Sequence, residues 1–405
     1  MISVQEAISI VLRHTPQGTV EEVGLTEALG FNLAENVLTD VNMPPFDKSS
    51  MDGYAFKSAD CPDDGTVLRV VGTIPAGQYP DFHLAAGEAA KIMTGAPMPE
   101  GADCVQKVEE TEALSDSKVR ILKKVPVGKN VAFMSEIMTA GKTVLPKNTY
   151  ITPAVIGVLA TVGRKSVKIY RRPRVGILVT GDELVEVEQK PGPGQLRNSN
   201  GYTLFSQVME AGGIPQLLGI ATDDVPDLRK KISQGLQNDI LLISGGVSMG
   251  DFDFVEDVLH DLGVAKYFDK VNIKPGKPSV FGKTETSLVF GLPGNPVSAS
   301  TVFEIIVRPC FRKLLGFQAM HHLRLRAVLE TEHPVKTARE YYHPSRCYFA
   351  ENKLFVKPVK SKGSADVLSF AKSNCYIVTP SGANDFQPGQ SVEVSIRSDY
   401  WKSLM

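Results

Sequence analysis

The chain has 405 residues, of which 42% are hydrophobic and 22% are charged, and a globular protein of this length exceeds what one hydrophobic core usually supports. Its formal net charge of −1 excludes the broad basic surface that a nucleic-acid-binding protein needs, although a local basic patch is still compatible with it. We therefore expect several domains and a small-molecule ligand, with no nucleic-acid partner.

The chain opens with a predicted amphipathic helix and then reaches a domain boundary. Ser3 and Glu6 have the spacing of a capping box ahead of apolar residues at helical spacing, and the helix should end near His14. Two prolines and a glycine in residues 43–54 mark the boundary. Short β-type runs between Gly and Pro turns then predict an inserted β-rich domain at residues 43–142.

A helix and a strand follow the inserted domain. Thr152 is a predicted N-cap with Pro153 in the first helical position, and residues 166–170 have the pattern of a strand. We expect residues 143–172 to pack with residues 1–42 as one small linking α+β domain.

Strand and helix signals alternate in residues 173–318, which predicts a mostly parallel sheet with helices on both faces. Residues 319–405 carry alternating β runs instead, which predict a small C-terminal β-barrel or sandwich. The predicted fold class is therefore a multidomain α/β protein with an inserted β-rich domain, a linking domain and a terminal β domain.

Four apolar runs in the α/β region each end in a loop rich in Gly, Pro and polar side chains. They are residues 175–184, 240–253, 273–278 and 289–298. Glycine at a strand end lets backbone N–H groups turn toward an anion, and open α/β sheets bind ligands at the carboxyl ends of their strands. We therefore predict that this region holds a phosphorylated ligand.

Several carboxylates fall at predicted strand ends or loop apices, where they would meet the same ligand. They are Asp52, Asp182, Glu183, Asp223, Asp251 and Asp253. Carboxylates beside phosphates repel unless a divalent cation bridges them, and Mg²⁺ is usually held by one or two carboxylates together with substrate oxygens. We therefore expect Mg²⁺, while turn or N-cap roles for Asp182, Asp223 and Asp251 are equally open.

Three lysines lie close together on a segment that contains prolines and a glycine. The restricted backbone would hold Lys270, Lys274 and Lys277 as fixed positive charges for phosphate or another oxyanion. A solvated lysine loop is the alternative interpretation.

A helix start follows the last apolar run. Its residues are Pro293, Gly294, Asn295 and Pro296. Asparagine is a common N-cap and proline a common first helical residue, so free N–H groups should face the loop and suit an anion. Asn-Pro alone is an ordinary start signal, and only the preceding Gly-Leu-Pro-Gly makes it specific.

Other motifs argue against familiar chemistries. The sequence has no Walker A motif, so ordinary ATPase chemistry is disfavoured, and its histidines show no metal-ligand spacing. Ser248 lies in a literal Gly-x-Ser-x-Gly, but Gly245 and Gly246 before it and the acidic run after it favour anion binding over an esterase nucleophile.

The cysteines and the N-terminus bear on the compartment. The cysteines are Cys61, Cys104, Cys310, Cys347 and Cys375. They are scattered and form no C-x-x-C pair, which indicates neither a zinc site nor a disulfide framework. The N-terminus lacks the features of a signal peptide, and the most apolar stretch, residues 154–162, is too short to span a bilayer. We expect a cytoplasmic protein with no membrane partner.

Six motifs, in order, resemble the molybdopterin molybdenumtransferase family, MoeA, which is also found as the E domain of gephyrin. The motifs are residues 44–55, 92–103, 180–184, 244–250, 273–278 and 291–298. The resemblance covers essentially the whole chain, and its α/β domain is similar to the MogA family.

The resemblance implies an activity and partners. Adenylylated molybdopterin and molybdate would react with Mg²⁺ to give molybdenum cofactor and AMP. Family members are elongated homodimers in which the α/β domain of one subunit meets the inserted domain of the other. A MogA-like adenylyltransferase and apo-molybdoenzymes are the further partners that it implies.

The resemblance also implies roles for individual residues. Catalytic roles fall to Asp52, Glu183, Asp223, Asp253, Lys270 and Lys274. The metal ligands would be Glu183, Asp223 and Asp253. Substrate binding falls to Thr94, Gly245, Gly246, Ser248, Pro293, Gly294, Asn295 and Pro296. Candidates for the molybdate oxyanion are Lys277, Ser298, Arg346 and Ser364.

Two positions depart from the family pattern, and two other functions stay open. Ile137 stands where the family usually has Asp, and Asn198 stands where many members carry Asp. Adenylylation of molybdopterin is one alternative, but the inserted and C-terminal domains favour insertion. A gephyrin-like scaffold is the other, and the lack of a linker or second fused domain in the sequence argues against it.

Overall fold

The computed structural model describes residues 1–246, 254–335 and 337–397. The chain divides into two compact units, one formed by Met1–Glu22 with Lys168–Met405 and the other by Val23–Val167. The finer division into four domains that the sequence predicts stays a prediction.

The elements of the described residues are as follows. The helices are α1 (Val4–His14), α2 (Pro153–Thr161), α3 (Ser199–Glu210), α4 (Val225–Gly235), α5 (Val255–Asp261), α6 (Pro296–Val302), α7 (Arg308–Leu314) and α8 (Val367–Ala371). A π-helical segment, Phe303–Val307, joins α6 to α7, and short 3₁₀ turns occur at Ser58–Asp60 and Val108–Glu110.

The strands are given in chain order. The first are β1 (Val20–Gly24), β2 (Val37–Leu38), β3 (Lys48–Ser49), β4 (Gly53–Phe56), β5 (Thr66–Ile74), β6 (Glu88–Ile92), β7 (Cys104–Lys107), β8 (Thr111–Ser115), β9 (Lys118–Ile121), β10 (Val131–Ala132), β11 (Thr143–Leu145) and β12 (Ser166–Tyr170). The others are β13 (Arg174–Thr180), β14 (Leu184–Val185), β15 (Leu196–Arg197), β16 (Ile214–Ala221), β17 (Ile240–Ser244), β18 (Ala265–Lys270), β19 (Ile273–Lys274), β20 (Pro278–Lys283), β21 (Leu288–Leu292), β22 (Arg324–Leu329), β23 (Glu340–Ala350), β24 (Lys353–Pro358), β25 (Cys375–Thr379) and β26 (Ser391–Ile396).

The unit Val23–Val167 is built around a six-stranded sheet in the order β7-β4-β6-β5-β9-β8. Its strands pair antiparallel except for the parallel pair β5–β6. Strand β4 shows why both faces are covered, because Tyr54 and Phe56 pack into one apolar cluster and Ala55 into another. Successive side chains of a strand point to opposite faces, so this β-rich part has apolar layers on both sides of the sheet.

The two helix starts that the sequence predicts are present. The Ser3 hydroxyl accepts the backbone N–H of Glu6 at 3.1 Å, and α1 ends at His14. The Thr152 hydroxyl accepts the N–H of Val155 at 3.3 Å, with Pro153 in the first turn of α2. Both hydroxyls satisfy N–H groups that a helix start leaves without a partner.

A mixed sheet in the order β16-β13-β17-β21-β20-β18 forms the α/β part of the other unit. The first four strands are parallel, and β20 and β18 continue the sheet antiparallel. In β17, Ile240 and Leu242 belong to the cluster with α1, α3, α6 and α7, whereas Leu241 and Ile243 belong to the cluster with α4 and α5. The predicted sheet, mostly parallel with helices on both faces, is therefore confirmed.

The C-terminal part is a β-barrel. Strands β23, β24, β22, β26 and β25 pair in that order, and a further pairing of β23 with β25 closes the ring. Strand β19 adds to β23 in parallel, so the barrel is tied to the segment just before β20. The prediction of a barrel or sandwich is confirmed, and the closed pairing identifies the barrel. Among the helices of the described residues, none combines the length and apolar composition that a membrane span requires.

Candidate functional site

A cleft of about 740 Å³ lies at the carboxyl ends of β13, β17 and β21. It is lined by Val179, Thr180, Gly181, Glu183, Leu184, Leu196, Arg197, Asn198, Ser199, Asn200, Asp223, Ser244, Gly245, Gly246, Pro278, Pro293, Gly294, Asn295, Pro296, Ala365 and Val367. The predicted loops after strands 175–180, 240–244 and 289–292 therefore meet at one edge of the sheet, as parallel strands require.

Glycine is needed where the loop after β17 passes β13. Gly245 and Gly246 have φ angles of 94° and 63°, a region that favours glycine. A Cβ atom on Gly245 would lie 2.6 Å from the backbone oxygen of Thr180. The Gly245 N–H donates to the carbonyl of Leu292 at 3.1 Å, so this loop is held against both neighbouring strand ends.

Asn200 joins the loops, and the sequence analysis did not single it out. Its side-chain amide donates to the Ser244 hydroxyl at 2.8 Å and to the Gly294 carbonyl at 2.7 Å. The Ser244 hydroxyl in turn donates to the carbonyl of Pro293 at 3.2 Å. One buried amide thus connects the start of α3 with the ends of β17 and β21.

The sequence analysis also did not single out Thr180 and Ser244, although a sequence pattern identifies both as candidate site residues. Each is a buried polar residue at the end of an apolar strand, and each lines the cleft. The Thr180 hydroxyl has no hydrogen-bond partner among the described residues. A polar residue that ends a buried strand is costly without a ligand or a partner, and this pattern marks both positions.

Asn198 caps the helix that borders the cleft. Its side-chain oxygen accepts the N–H of Gly201 at 2.9 Å, and the residue is buried at the start of α3. An aspartate would supply the same acceptor. Asparagine in place of the aspartate of many family members therefore keeps the helix cap and removes a negative charge from the cleft wall.

Glu183 and Asp223 are brought together in the cleft, with Asp182 beside them. The Asp223 N–H donates to a carboxylate oxygen of Asp182 at 3.1 Å. Burial raises the pKa of Asp223, and the nearby charges of Asp182 and Glu183 raise it further. A carboxylate cluster of this kind holds excess negative charge that a cation would neutralise.

The donor set fits Mg²⁺ if the substrate completes it. In residues 1–246, 254–335 and 337–397 there is no group of three or more His, Cys, Asp or Glu side chains arranged to hold a metal. Mg²⁺ is nevertheless usually held by one or two carboxylates with phosphate oxygens and water, and Glu183 and Asp223 supply two. Asp253, the third predicted ligand, and Ser248 and Asp251 lie outside the described residues.

None of the three predicted lysines is among the residues that line the cleft, although two of them are next to a lining residue. Lys270 ends β18 in register with Pro278, which lines the cleft, and Lys277 precedes Pro278. The ammonium of Lys274 lies 4.5 Å from the centre of the Tyr341 ring. Their contacts with an anion stay a prediction.

The other oxyanion candidates are dispersed. Ser298 is buried in the first turns of α6. Arg346 is exposed on β23 in register with Lys357. The Ser364 carbonyl accepts the N–H of Val297 at 3.0 Å, while the next residue, Ala365, lines the cleft.

This contact corrects one expectation about the helix start at residues 293–296. The sequence predicts free N–H groups there, but the Val297 N–H is already taken by Ser364. The physical reason is that the segment before α8 folds over the first turn of α6, and sequence periodicity gives no sign of that contact.

Asp52 and Thr94 meet in the unit Val23–Val167. The Thr94 backbone N–H and hydroxyl donate to the same Asp52 carboxylate oxygen, at 2.6 and 2.9 Å. These two hydrogen bonds lower the pKa of Asp52. At the departure from the family pattern, the Ile137 side chain is exposed, and the neighbouring Ser135 N–H donates to the Pro44 carbonyl at 3.0 Å.

Comparisons with known proteins cover almost all of the chain. Family models described as MoeA N-terminal region (domain I and II), probable molybdopterin binding domain, and MoeA C-terminal region (domain IV) match residues 2–163, 176–313 and 326–396. A Bacillus subtilis (strain 168) protein named molybdopterin molybdenumtransferase is 34% identical over 401 residues, 97% of this chain and 93% of that protein. A Nostoc sp. (strain PCC 7120) protein of the same name is 36% identical over 408 residues, with the same coverage.

Solved structures agree with these matches. The molybdopterin biosynthesis MoeA protein from Pyrococcus horikoshii OT3 is 29% identical, with a TM-score of 0.83, and the match covers 98% of this chain and 100% of that one. A second crystal structure of a MoeA protein from a Pyrococcus species is 30% identical, with a TM-score of 0.85 and coverage of 98% and 99%.

Proposed function

Because the chain belongs to the molybdopterin molybdenumtransferase family, we propose that it inserts molybdenum from molybdate into adenylylated molybdopterin and releases AMP in a Mg²⁺-dependent reaction. Water would attack the phosphoanhydride linkage and break its P–O bond, which releases AMP and leaves a phosphate on molybdopterin. The dithiolene sulfurs of molybdopterin would replace oxygens of molybdate, and these oxygens would take up the thiol protons and leave as water. The observation that carries the proposal is the cleft that joins Glu183 and Asp223 to the glycine turns at residues 245–246 and 293–294.

The size and lining of the cleft support a ligand of this class. About 740 Å³ lies within the range of sites for drug-sized ligands. Gly245 and Gly294 present backbone without side chains where a phosphate would approach, and a Cβ on Gly294 would lie 3.8 Å from the Cα of Gly245. The Asn200 amide fixes both turns, so the loops are organised before a ligand arrives.

The acidic residues would hold the metal and orient the substrate. We assign Glu183 and Asp223 to Mg²⁺, with Asp253 as the third ligand. When bound, Mg²⁺ would neutralise charge that develops on the phosphate oxygens as AMP leaves. Asp223 suits this role because burial, and then the neighbouring carboxylates, raise its pKa, and a bound cation would favour its ionised form.

The basic and small polar residues would bind the oxyanions. We assign Lys270 and Lys274 to the phosphate charge, because fixed ammonium groups stabilise a charge that grows in the transition state. We assign the molybdate to Lys277, Ser298, Arg346 and Ser364. Pro293, Asn295, Pro296, Gly246 and Ser248 would complete the substrate-binding loops.

We further propose that the protein acts as a cytoplasmic homodimer, that Asp52 is a catalytic residue and that Thr94 binds substrate. The lowered pKa of Asp52 keeps that carboxylate ionised, as a cation- or substrate-orienting role requires. A MogA-like adenylyltransferase would supply the substrate, and apo-molybdoenzymes would receive the product.

The test is a direct assay. Purified protein is mixed with adenylylated molybdopterin, molybdate and Mg²⁺, and AMP release and reconstitution of an apo-molybdoenzyme are followed. AMP should appear only when molybdate and Mg²⁺ are both present. The absence of AMP with wild-type protein would refute the proposal, and ATP consumption with free molybdopterin would indicate adenylylation instead.

A further inference from the structure

Lys274 is held against the barrel by strand pairing. Lys274 pairs with Tyr341 in the parallel ladder β19–β23, which places the two side chains next to each other. The Lys274 ammonium lies 4.5 Å from the centre of the Tyr341 ring, within the range of a cation–π interaction. The Arg339 guanidinium also donates to the carbonyl of Ile273 at 3.2 Å, so the short ladder is fixed at both residues of β19.

The orientation of the Tyr341 ring is set by a directional chain of hydrogen bonds. His343 Nε2 lies 3.1 Å from the Val359 carbonyl, which only accepts, so Nε2 carries a proton. Burial lowers the pKa of His343, so the ring is neutral and its Nδ1 is an acceptor. Nδ1 lies 2.6 Å from the Tyr341 hydroxyl, which therefore donates.

The rings around the Lys274 ammonium are uncharged at neutral pH. Burial raises the pKa of Tyr341 and lowers the pKa of His333 to about 4, and His343 and Lys274 contribute to the latter shift. The His333 ring lies 4.8 Å from the His343 ring and 6.2 Å from the Tyr341 ring. The half-buried Lys274 side chain thus faces aromatic rings that carry no positive charge of their own.

We propose that Tyr341 and His343 are positioning residues that set the direction of the Lys274 ammonium for the reaction. The inference rests on the proposed function, in which Lys274 contacts the phosphate of the adenylylated substrate. The Tyr341 ring restricts the flexible Lys274 side chain through the cation–π contact. The hydrogen bond to His343 restricts rotation of the Tyr341 ring. Neither Tyr341 nor His343 is among the residues that line the cleft, so in this proposal their effect passes through Lys274.

The placement of the lysine can be measured without activity. Protein labelled with ¹³C at lysine Cε is studied by NMR, and the Lys274 resonance is identified by its loss in Lys274→Arg. The wild-type Lys274 methylene protons should show an upfield ring-current shift. Tyr341→Leu should abolish this shift, and Tyr341→Phe, which keeps the ring but loses the hydrogen bond to His343, should retain only part of it. An unchanged Lys274 resonance in Tyr341→Leu would overturn the inference.

The kinetic consequence is tested with variants matched on one strand. Tyr341→Leu should lower kcat of AMP release about two- to fivefold with little change in KM, because a cation–π contact at a partly exposed site has an effect of this size. Tyr341→Phe keeps the ring but loses the hydrogen bond to His343, so its kcat should lie between those of Tyr341→Leu and wild type. Tyr348 is the control, because its ring packs on Phe355 and its hydroxyl donates to Glu330. Tyr348→Leu should leave kcat unchanged.

A double-mutant cycle of Lys274 and Tyr341 distinguishes a positioning role of Tyr341 from a general loss of structure. In a Lys274→Met background, Tyr341→Leu should cause no further loss of kcat, whereas a structural role would add its own loss in both backgrounds. Equal kcat values for Tyr341→Leu and Tyr348→Leu would contradict the inference. If wild-type protein releases no AMP, the proposed function fails, and the NMR shifts still decide whether Tyr341 holds Lys274.

Discussion

Thr94 donates two hydrogen bonds to one oxygen of Asp52, through its backbone N–H at 2.6 Å and its hydroxyl at 2.9 Å. Both bonds stabilise the ionised carboxylate and lower its pKa, with the backbone bond as the larger cause. The pairing links a loop after β3 with the turn after β6, and it appears in the sequence as two unrelated motifs.

The first prediction concerns this pair. Thr94→Val removes the hydroxyl donor and keeps the backbone donor, so the pKa of Asp52 should rise, and the acid limb of the pH–rate profile should move to higher pH. Thr94→Ser keeps both donors and serves as the control with an unshifted profile. The pKa of Asp52 is followed directly by NMR of ¹³C-labelled aspartate. An acid limb that is identical in wild type and Thr94→Val would exclude Asp52 from the rate-limiting chemistry.

The second prediction concerns the amide that joins the cleft loops. Asn200→Leu leaves the buried Ser244 hydroxyl and the Gly294 carbonyl without their donor, so the free energy of unfolding should fall by about 1–3 kcal/mol. Ser199→Ala, in the same first turn of α3, is the control, because it removes a small half-buried hydroxyl and leaves the Asn200 bonds in place, and its change should stay within about 0.5 kcal/mol. Urea unfolding monitored by circular dichroism measures both. Equal losses for the two variants would argue against the connecting role of Asn200.

The third prediction concerns the tight approach at Gly245. Gly245→Ala places a Cβ 2.6 Å from the Thr180 carbonyl oxygen, so the loop must move away and activity should fall on the order of 100-fold. Gly263 also has a positive φ, of 79°, but a Cβ there meets nothing within 4 Å. Gly263→Ala therefore carries the backbone strain without the clash and should retain activity. AMP-release kinetics of the two variants distinguish the effect of backbone strain from the effect of moving the loop away from Thr180.

The fourth prediction concerns the metal. Glu183→Gln and Asp223→Asn should both raise the Mg²⁺ concentration needed for half-maximal AMP release, because each removes a hard anionic ligand. In the absence of Mg²⁺, Asp223→Asn should also raise the thermal unfolding temperature slightly, since it relieves repulsion from Asp182 and Glu183. Asp261→Asn, on α5 and paired with Arg229, is the control for charge alone. A Mg²⁺ requirement that no variant alters would remove these residues from the metal site.

The fifth prediction concerns pH and the buried His333, whose pKa is lowered to about 4 by burial in the folded state. The unfolded chain binds a proton near its ordinary pKa of 6.5, so the folded state loses stability as pH falls from 6.5 toward 4, by up to roughly 3 kcal/mol. His333→Leu should flatten this part of the stability profile, whereas His260→Gln, at an exposed site, should not. Urea unfolding at a series of pH values provides the comparison.

Much of the fold follows from local sequence patterns. The capping residues Ser3 and Thr152 predict helices that form where expected, and the buried run of β17 predicts the central strand. Glu183 and Asp223 could be predicted to meet because parallel strands end at one edge of a sheet.

Other features could not be read locally. Strand β23 carries Glu340, His343, Pro344 and Arg346, which do not resemble a strand, and its structure depends on pairing with β19, β24 and β25. Strand β18 is also polar, and its antiparallel pairing with β20 at the edge of the sheet stabilises it. The contacts of Lys274 with Tyr341 and of Val297 with Ser364 join distant segments, and only tertiary structure creates them.

The bond between the Val297 N–H and the Ser364 carbonyl has a consequence for biosynthesis of the protein. The ribosome produces the strands and glycine turns of the α/β region first, but the segment that completes the wall beside α6 emerges only after much of the barrel. A nascent or truncated chain that ends before Ser364 therefore lacks Ala365 and Val367, which line the cleft, so the cleft is completed late in translation.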